Sequence, residues 1–105
     1  MQFDEMMRQA QKLQQKMARM KEDMNERVVE GTGGGGAVRA FVNGRFELLR
    51  IKIDPAAVDP DDVEMLEDLV VAAVRDATAK VRRMVEEEMG KMTAGLPIPP
   101  GMLGF

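Results

Sequence analysis

From Phe3 to Arg27, FDEMMRQAQKLQQKMARMKEDMNER, apolar side chains recur at Phe3, Met6, Ala10, Leu13, Met17, Met20 and Met24. Alternating steps of three and four are the a/d seam of a helix that packs along another helix over its whole length. The spacing predicts a helix on the order of 37 Å long at 1.5 Å per residue, with Asp4 and Glu5 in its first turn complementing the helix dipole. Arg8, Lys12, Lys16 and Arg19 climb the same helix in a narrow band, centred about 130° round from the seam at 3.6 residues per turn. One edge is therefore suited to a partner, while another shows water a basic stripe.

A chain of 105 residues makes one domain and buries only a modest core, which favours oligomerisation. There is no Cys, His, Tyr, Trp or Ser, so serine, cysteine and histidine catalysis and thiolate metal sites are excluded. The remaining carboxylates and lysines lie in charge-rich helical runs whose ordinary role is a solvated face. The expectation is a protein that is not an enzyme and uses neither cofactor nor small-molecule substrate. A charged start without an apolar h-region, and no apolar run near the roughly 18 residues of a membrane span, predict a soluble, intracellular protein.

The formal net charge of −3 argues against a polyanionic partner until its distribution is followed. Asp54, Asp59, Asp61, Asp62, Glu64, Glu67, Asp68 and Asp76 share a segment whose one base is Arg75. Between Met6 and Lys21 there is no acid, against Arg8, Lys12, Lys16, Arg19 and Lys21. Sorting charge into blocks leaves a local basic surface on an acidic chain.

After the first helix, Val28-Val29-Glu30 reads as a short strand and Gly31 to Gly36 as a flexible loop. The loop formally contains G-x-G-x-x-G at Gly31, Gly33 and Gly36. A dinucleotide fingerprint must open a helix, whereas the strand-like AVRAFV follows here. Residues 37–42 and 45–53 flank Asn43-Gly44, which predicts a two-residue type I′ turn with φ > 0 at both positions. In that register Val42 faces Arg45, Phe41 faces Phe46, and Val38 faces Leu49. One face then carries Val38, Ala40, Leu49, Ile51 and Ile53. The other carries Arg39, Phe41, Phe46, Leu48, Arg50 and Lys52, a mixed surface suited to cover by a partner. Asp54-Pro55 ends the strand, and Asp59 with Pro60 is expected to open a second helix. Val63, Leu66, Val70, Ala73, Ala77, Val81 and Met84 form its seam. It can persist to Met92, with Gly95 as its stop. The predicted fold class is α+β: a long N-terminal helix, a three-stranded antiparallel sheet and a long second helix, in a domain of residues 1–95. Residues 96–105 form a Pro/Gly-rich tail.

Three groups of cations rank as candidates for phosphate contact. The stripe with Lys21 comes first, since Lys and Arg heads interleaved with Gln9, Gln11, Gln14 and Gln15 suit contacts that ignore sequence. Arg75, Lys80, Arg82 and Arg83 come second, because Glu86, Glu87 and Glu88 stand ready to neutralise them at i,i+4. Arg39, Arg50 and Lys52 come third. Met6, Leu13, Met17 and Met20, with Phe41, Phe46 and Leu48, are the expected packing or dimer residues, methionine being suited to irregular interfaces.

In order along the chain, the following stretches resemble the YbaB/EbfC family of small nucleoid-associated proteins: Met7 to Met17, MRQAQKLQQKM; Val29-Glu30-Gly31; Val42-Asn43-Gly44; Ile51-Lys52-Ile53-Asp54-Pro55; and Glu64-Met65-Leu66-Glu67-Asp68-Leu69-Val70 ahead of Asp76-Ala77. The resemblance implies a tweezer-shaped homodimer whose protruding helices bind duplex DNA with weak sequence preference, in the bacterial cytoplasm and nucleoid. It also implies an influence on chromosome organisation and gene expression. Two long helices joined through a hairpin also describe a prefoldin-like holdase, and a protein–protein adaptor is a third reading. Exposed apolar residues at the helix ends would favour the holdase, and a continuous basic surface would favour DNA.

Overall fold

The computed structural model describes residues 2–93; the expected stop at Gly95 and the tail of 96–105 lie outside them. Helix α1 spans Gln2–Glu26, strand β1 Val28–Gly33, β2 Val38–Asn43, β3 Leu48–Ile53, and helix α2 Val63–Thr93. The strands form one antiparallel sheet in the order β1-β2-β3, so the α+β expectation holds. The molecule measures 74 × 20 × 16 Å with a radius of gyration of 19.6 Å, against about 13 Å for a compact chain of this size.

The core lies between the sheet and one face of α2. Val38, Ala40 and Val42 of β2 are buried against Ala73, Ala77 and Val81, with Leu66, Val70 and Met84 half-buried around them. The predicted α2 seam is the buried face, except that Val63 is exposed. Small residues bring the backbones together here. A Cβ on Gly31 would overlap the main-chain nitrogen of Ala77, and one on Gly33 would overlap the Leu69 carbonyl. The glycines expected to form a flexible loop are thus partly strand: β1 runs to Gly33, and only Gly34–Gly36 turn the chain, at φ of 61°, 68° and 100°. Close approach to a helix backbone, and left-handed geometry that favours glycine, account for the run between them.

The hairpin departs from the predicted register. Val38 pairs with Ile53, Ala40 with Ile51 and Phe41 with Arg50, and the type I′ pairs of Phe41 with Phe46 and Val38 with Leu49 do not form. Asn43 N–H donates to the Glu47 carbonyl at 3.1 Å and Phe46 N–H to the Asn43 carbonyl at 3.0 Å. These bonds enclose a three-residue loop, Gly44-Arg45-Phe46. Its left-handed residue is Phe46, at φ 63°, while Gly44 has a negative φ. The Asn43 carboxamide oxygen, accepting from Arg45 N–H at 2.9 Å and Glu47 N–H at 3.0 Å, stabilises this alternative. A bulge beside Phe41 and Val42 then pairs Val42 with Leu48. The longer loop alone would flip β3; the extra bulge residue restores its parity, so Ile51 still meets the core. Leu48, expected on the outer face, lies opposite the buried Val42 and is half exposed, as is Leu49, expected inside.

Helix α2 starts later than expected. Asp59 and Pro60 build a turn, with Asp62 N–H donating to the Asp59 carbonyl at 3.0 Å. Asp62 is the cap, its carboxylate accepting Met65 N–H at 3.2 Å. Helix α1 leaves most of its seam uncovered within the chain. Only Met24 of its seam is buried; Met17 and Met20 are half-buried, and Leu13, Met6 and Phe3 are 42%, 67% and 70% exposed. Among the described residues the seam has no helix along its outer length, because α2 reaches α1 only with its last turns. The result is an arm projecting from the sheet.

Candidate nucleic-acid interface

The arm is seated at its C-terminal end. Gly44 N–H donates to the Arg27 carbonyl at 3.1 Å, and a Cβ at Gly44 would overlap the Met24 carbonyl. From there α1 runs back beside the end of α2, antiparallel to it. Leu13, Lys16, Met17 and Met20 form one wall of a groove whose other wall is Glu88, Lys91 and Met92. The Glu88 carboxylate meets the Arg27 guanidinium and the Lys91 ammonium, each at 3.4 Å. Partial burial pushes that carboxyl up, but the hydrogen bonds and charges of Lys91, then of Arg27, outweigh it and hold the pKa below its usual range.

Arg8, Lys12, Lys16 and Arg19 are all exposed on the arm, and among the described residues none of the four makes an ion pair. Lys12, Lys16 and Arg19 border one shallow depression with Gln15, Met20 and Asp23. Lys16 and Met20 belong to both the depression and the inter-helix groove, so the basic stripe adjoins the apolar seam. Lys21 is exposed two residues beyond Arg19, closer to the sheet.

The second group divides. Arg75, Arg82 and Arg83 are exposed on α2. Lys80 is engaged in the fold: its ammonium donates to the Asp76 carboxylate at 3.0 Å and to the Glu30 carbonyl at 3.2 Å. Asp76 in turn accepts Thr32 N–H at 2.9 Å. That backbone bond first, and then Lys80, lower the Asp76 pKa. The expected neutralisation of Arg82 and Arg83 by Glu86–Glu88 gives way to Glu88 facing α1, because the sheet side of α2 turns it toward Arg27. In the third group Arg39 meets Glu30 at 3.6 Å, Arg50 stands 6.0 Å over the Phe41 ring, and Lys52 is exposed.

Lys91 is the cation that sequence reasoning passed over. It lies across the groove from Lys16, a proximity with no local sequence signal because it depends on where α2 ends relative to α1. Phe41 is half-buried; Phe46 and Leu48 are 48% and 50% exposed at the hairpin end.

Comparisons with known proteins give the family and the fold. Residues 1–96 match the YbaB/EbfC DNA-binding family. A nucleoid-associated protein of Pelotomaculum thermopropionicum is 50% identical over 97 residues, covering 92% of each chain. One from Syntrophobacter fumaroxidans is 52% identical over 93 residues, 89% of this chain and 84% of the relative. The crystal structure of an uncharacterized protein from Helicobacter pylori shares the fold, with a TM-score of 0.69 at 21% identity over 88% of this chain and 97% of the other. On its sequence match and its architecture, this chain belongs to the YbaB/EbfC DNA-binding family.

Proposed function

We propose that the protein is a homodimeric, non-enzymatic nucleoid-associated protein of the bacterial cytoplasm. Its projecting arms hold duplex DNA by phosphate contacts with weak sequence preference, and so influence nucleoid organisation and gene expression. The observation that carries this reading is a set of four exposed cations, Arg8, Lys12, Lys16 and Arg19, without ion pairs among the described residues, on an arm that projects from the sheet. A second copy doubles the set to about eight charges, enough for a strongly salt-dependent affinity.

The sheet edges support the dimer. Asp76 and Lys80 occupy Thr32 N–H and the Glu30 carbonyl of β1, closing that edge with side chains from α2. Among the described residues β3 is the edge without such cover, and beside it Phe46, Leu48 and Leu49 are about half exposed. Open edges flanked by apolar side chains invite pairing. A second copy seated there leaves both arms projecting.

The test is a gel shift on two duplexes of unrelated sequence at low and moderate salt. Similar retention of both at low salt, lost as salt rises, supports the reading; no retention at low salt contradicts it. The strong exposure of Phe3 and Met6 near the arm's tip favours a second reading, in which the arms grip unfolded protein. Suppression of aggregation of a denatured client, abolished by changing both residues to Ser, would support that holdase instead.

A further inference from the structure

The arm and the sheet are joined by one residue, Arg27, between the end of α1 at Glu26 and the start of β1 at Val28. Met24 is the one buried residue of α1. Among the described residues the mounting rests on few points: Met24 under the helix, Gly44 against its last carbonyls, and the Arg27–Glu88 pair beside it. Glu88 is not an ordinary solvated member of its acidic run. Its side chain is 16% exposed, while Arg27 and Lys91 are 50% and 74% exposed. It is a shielded carboxylate holding two cations, Arg27 at the root of the arm and Lys91 three residues on in α2, and it is the one acid of Glu86-Glu87-Glu88 with such partners in the described structure.

A few-point mount matters because the arm is long. From Arg27 to Arg8 is about 28 Å of helix, so a tilt of about 10° moves Arg8 by roughly 5 Å. Phosphates along one DNA strand advance about 3.4 Å per step. A small change at the root is thus a change of phosphate register at the tip.

We propose that Glu88 is a positioning residue: held between Arg27 and Lys91, it sets the bearing of the α1 arm and thereby where the basic stripe meets the duplex. The second half of this statement rests on the DNA-binding reading above; the first does not. Glu88 touches no DNA itself. Its carboxylate repels phosphate, so its removal would strengthen binding if its effect were only electrostatic. A positioning role makes removal weaken binding instead.

The chain has no cysteine, so Gln9→Cys and Glu67→Cys, both at exposed positions, allow spin labels on the arm and on α2. Labelled full-length chains diluted into unlabelled protein report the distance within one subunit. Glu88→Gln and Arg27→Gln should each broaden that distance distribution by several ångströms and weaken duplex binding about threefold, in keeping with loss of one exposed ion pair. Their melting temperatures should stay close to that of the parent. The double variant should be no worse than either single one, because both remove the same contact. An unchanged distance distribution in Glu88→Gln, additive losses in the double variant, or tighter duplex binding would overturn the proposal. If the parent protein binds no duplex, the DNA reading fails, and the distances alone decide whether Glu88 sets the bearing.

Discussion

The main-chain carbonyl of Met24 occupies the space where a Cβ at position 44 would stand, so the turn of the hairpin is the seat of the arm. Gly44 is buried there, and its N–H holds the Arg27 carbonyl. The Asn-Gly pair serves contact between elements and not a left-handed turn.

Gly44→Ala must move the α1 root or the hairpin, and should destabilise the fold by about 1–3 kcal/mol, as overpacking does. For a domain of this size each kcal/mol corresponds to about 4–8 °C in melting temperature. A thermal melt checks this, and an unchanged midpoint would show that the seat yields freely.

The two kinds of glycine in the Gly31–Gly36 run should separate in the same assay. Gly31→Ala drives a methyl into the α2 backbone beside Ala77 and should lower the melting temperature more than Gly35→Ala does. Gly35 has open space around it and a φ of +68°, so alanine there meets only the left-handed cost, about 1–2 kcal/mol.

The clasp between Asp76, Thr32 and Lys80 predicts a pH dependence. The Thr32 N–H, then Lys80 with added attraction from Arg83, hold the Asp76 carboxyl below its ordinary 3.8. A carboxyl with a lower pKa in the folded than in the unfolded chain stabilises the fold above the unfolded value, and that contribution is lost as pH falls through the folded value. Asp76→Asn should therefore be less stable than wild type at pH 7, with the gap closing once the pH drops below 3.8. Parallel denaturant titrations would show it; a gap that is constant with pH would mean the ionised carboxylate contributes nothing.

Leu48→Glu places a charge on β3, the edge proposed to receive a second copy, at a position about half exposed in one chain. The folded subunit should survive, and its circular dichroism should be unchanged. Sedimentation at micromolar concentration should shift from dimer to monomer. A variant that stays dimeric would move the interface away from β3.

How legible these features are in the sequence depends on whether their cause is local. The α2 seam from Leu66 to Met84 is local periodicity, and it is the buried face. The basic stripe is also local, a matter of spacing and of missing acids, and α1 exposes it. The hairpin register was not legible. Asn43 and Gly44 satisfy the rule for a tight turn, yet the Asn43 carboxamide and the crowding of Gly44 by Met24 select a longer loop, and both act through three-dimensional contacts. Gly31 and Gly33 likewise look like loop residues until α2 is laid across them. Lys80 resembles its neighbours Arg82 and Arg83 in sequence, and only the closing of β1 by α2 separates it from them. Lys91 and the Arg27–Glu88 pair join residues 61 positions apart or across two helix ends, where no periodicity connects them.

Whether the stripe on α1 meets DNA phosphates is decided by the salt dependence of duplex affinity. Plotted as log K against log salt, wild type should give a steep negative slope, with each phosphate contact contributing about −0.9. Changing Arg8, Lys12, Lys16 and Arg19 together to Ala should weaken binding at low salt and flatten the slope by about 3 or more if the dimer uses at least half of its eight stripe charges. A quadruple variant that binds with the wild-type affinity and the same slope would mean that the stripe does not meet the phosphates.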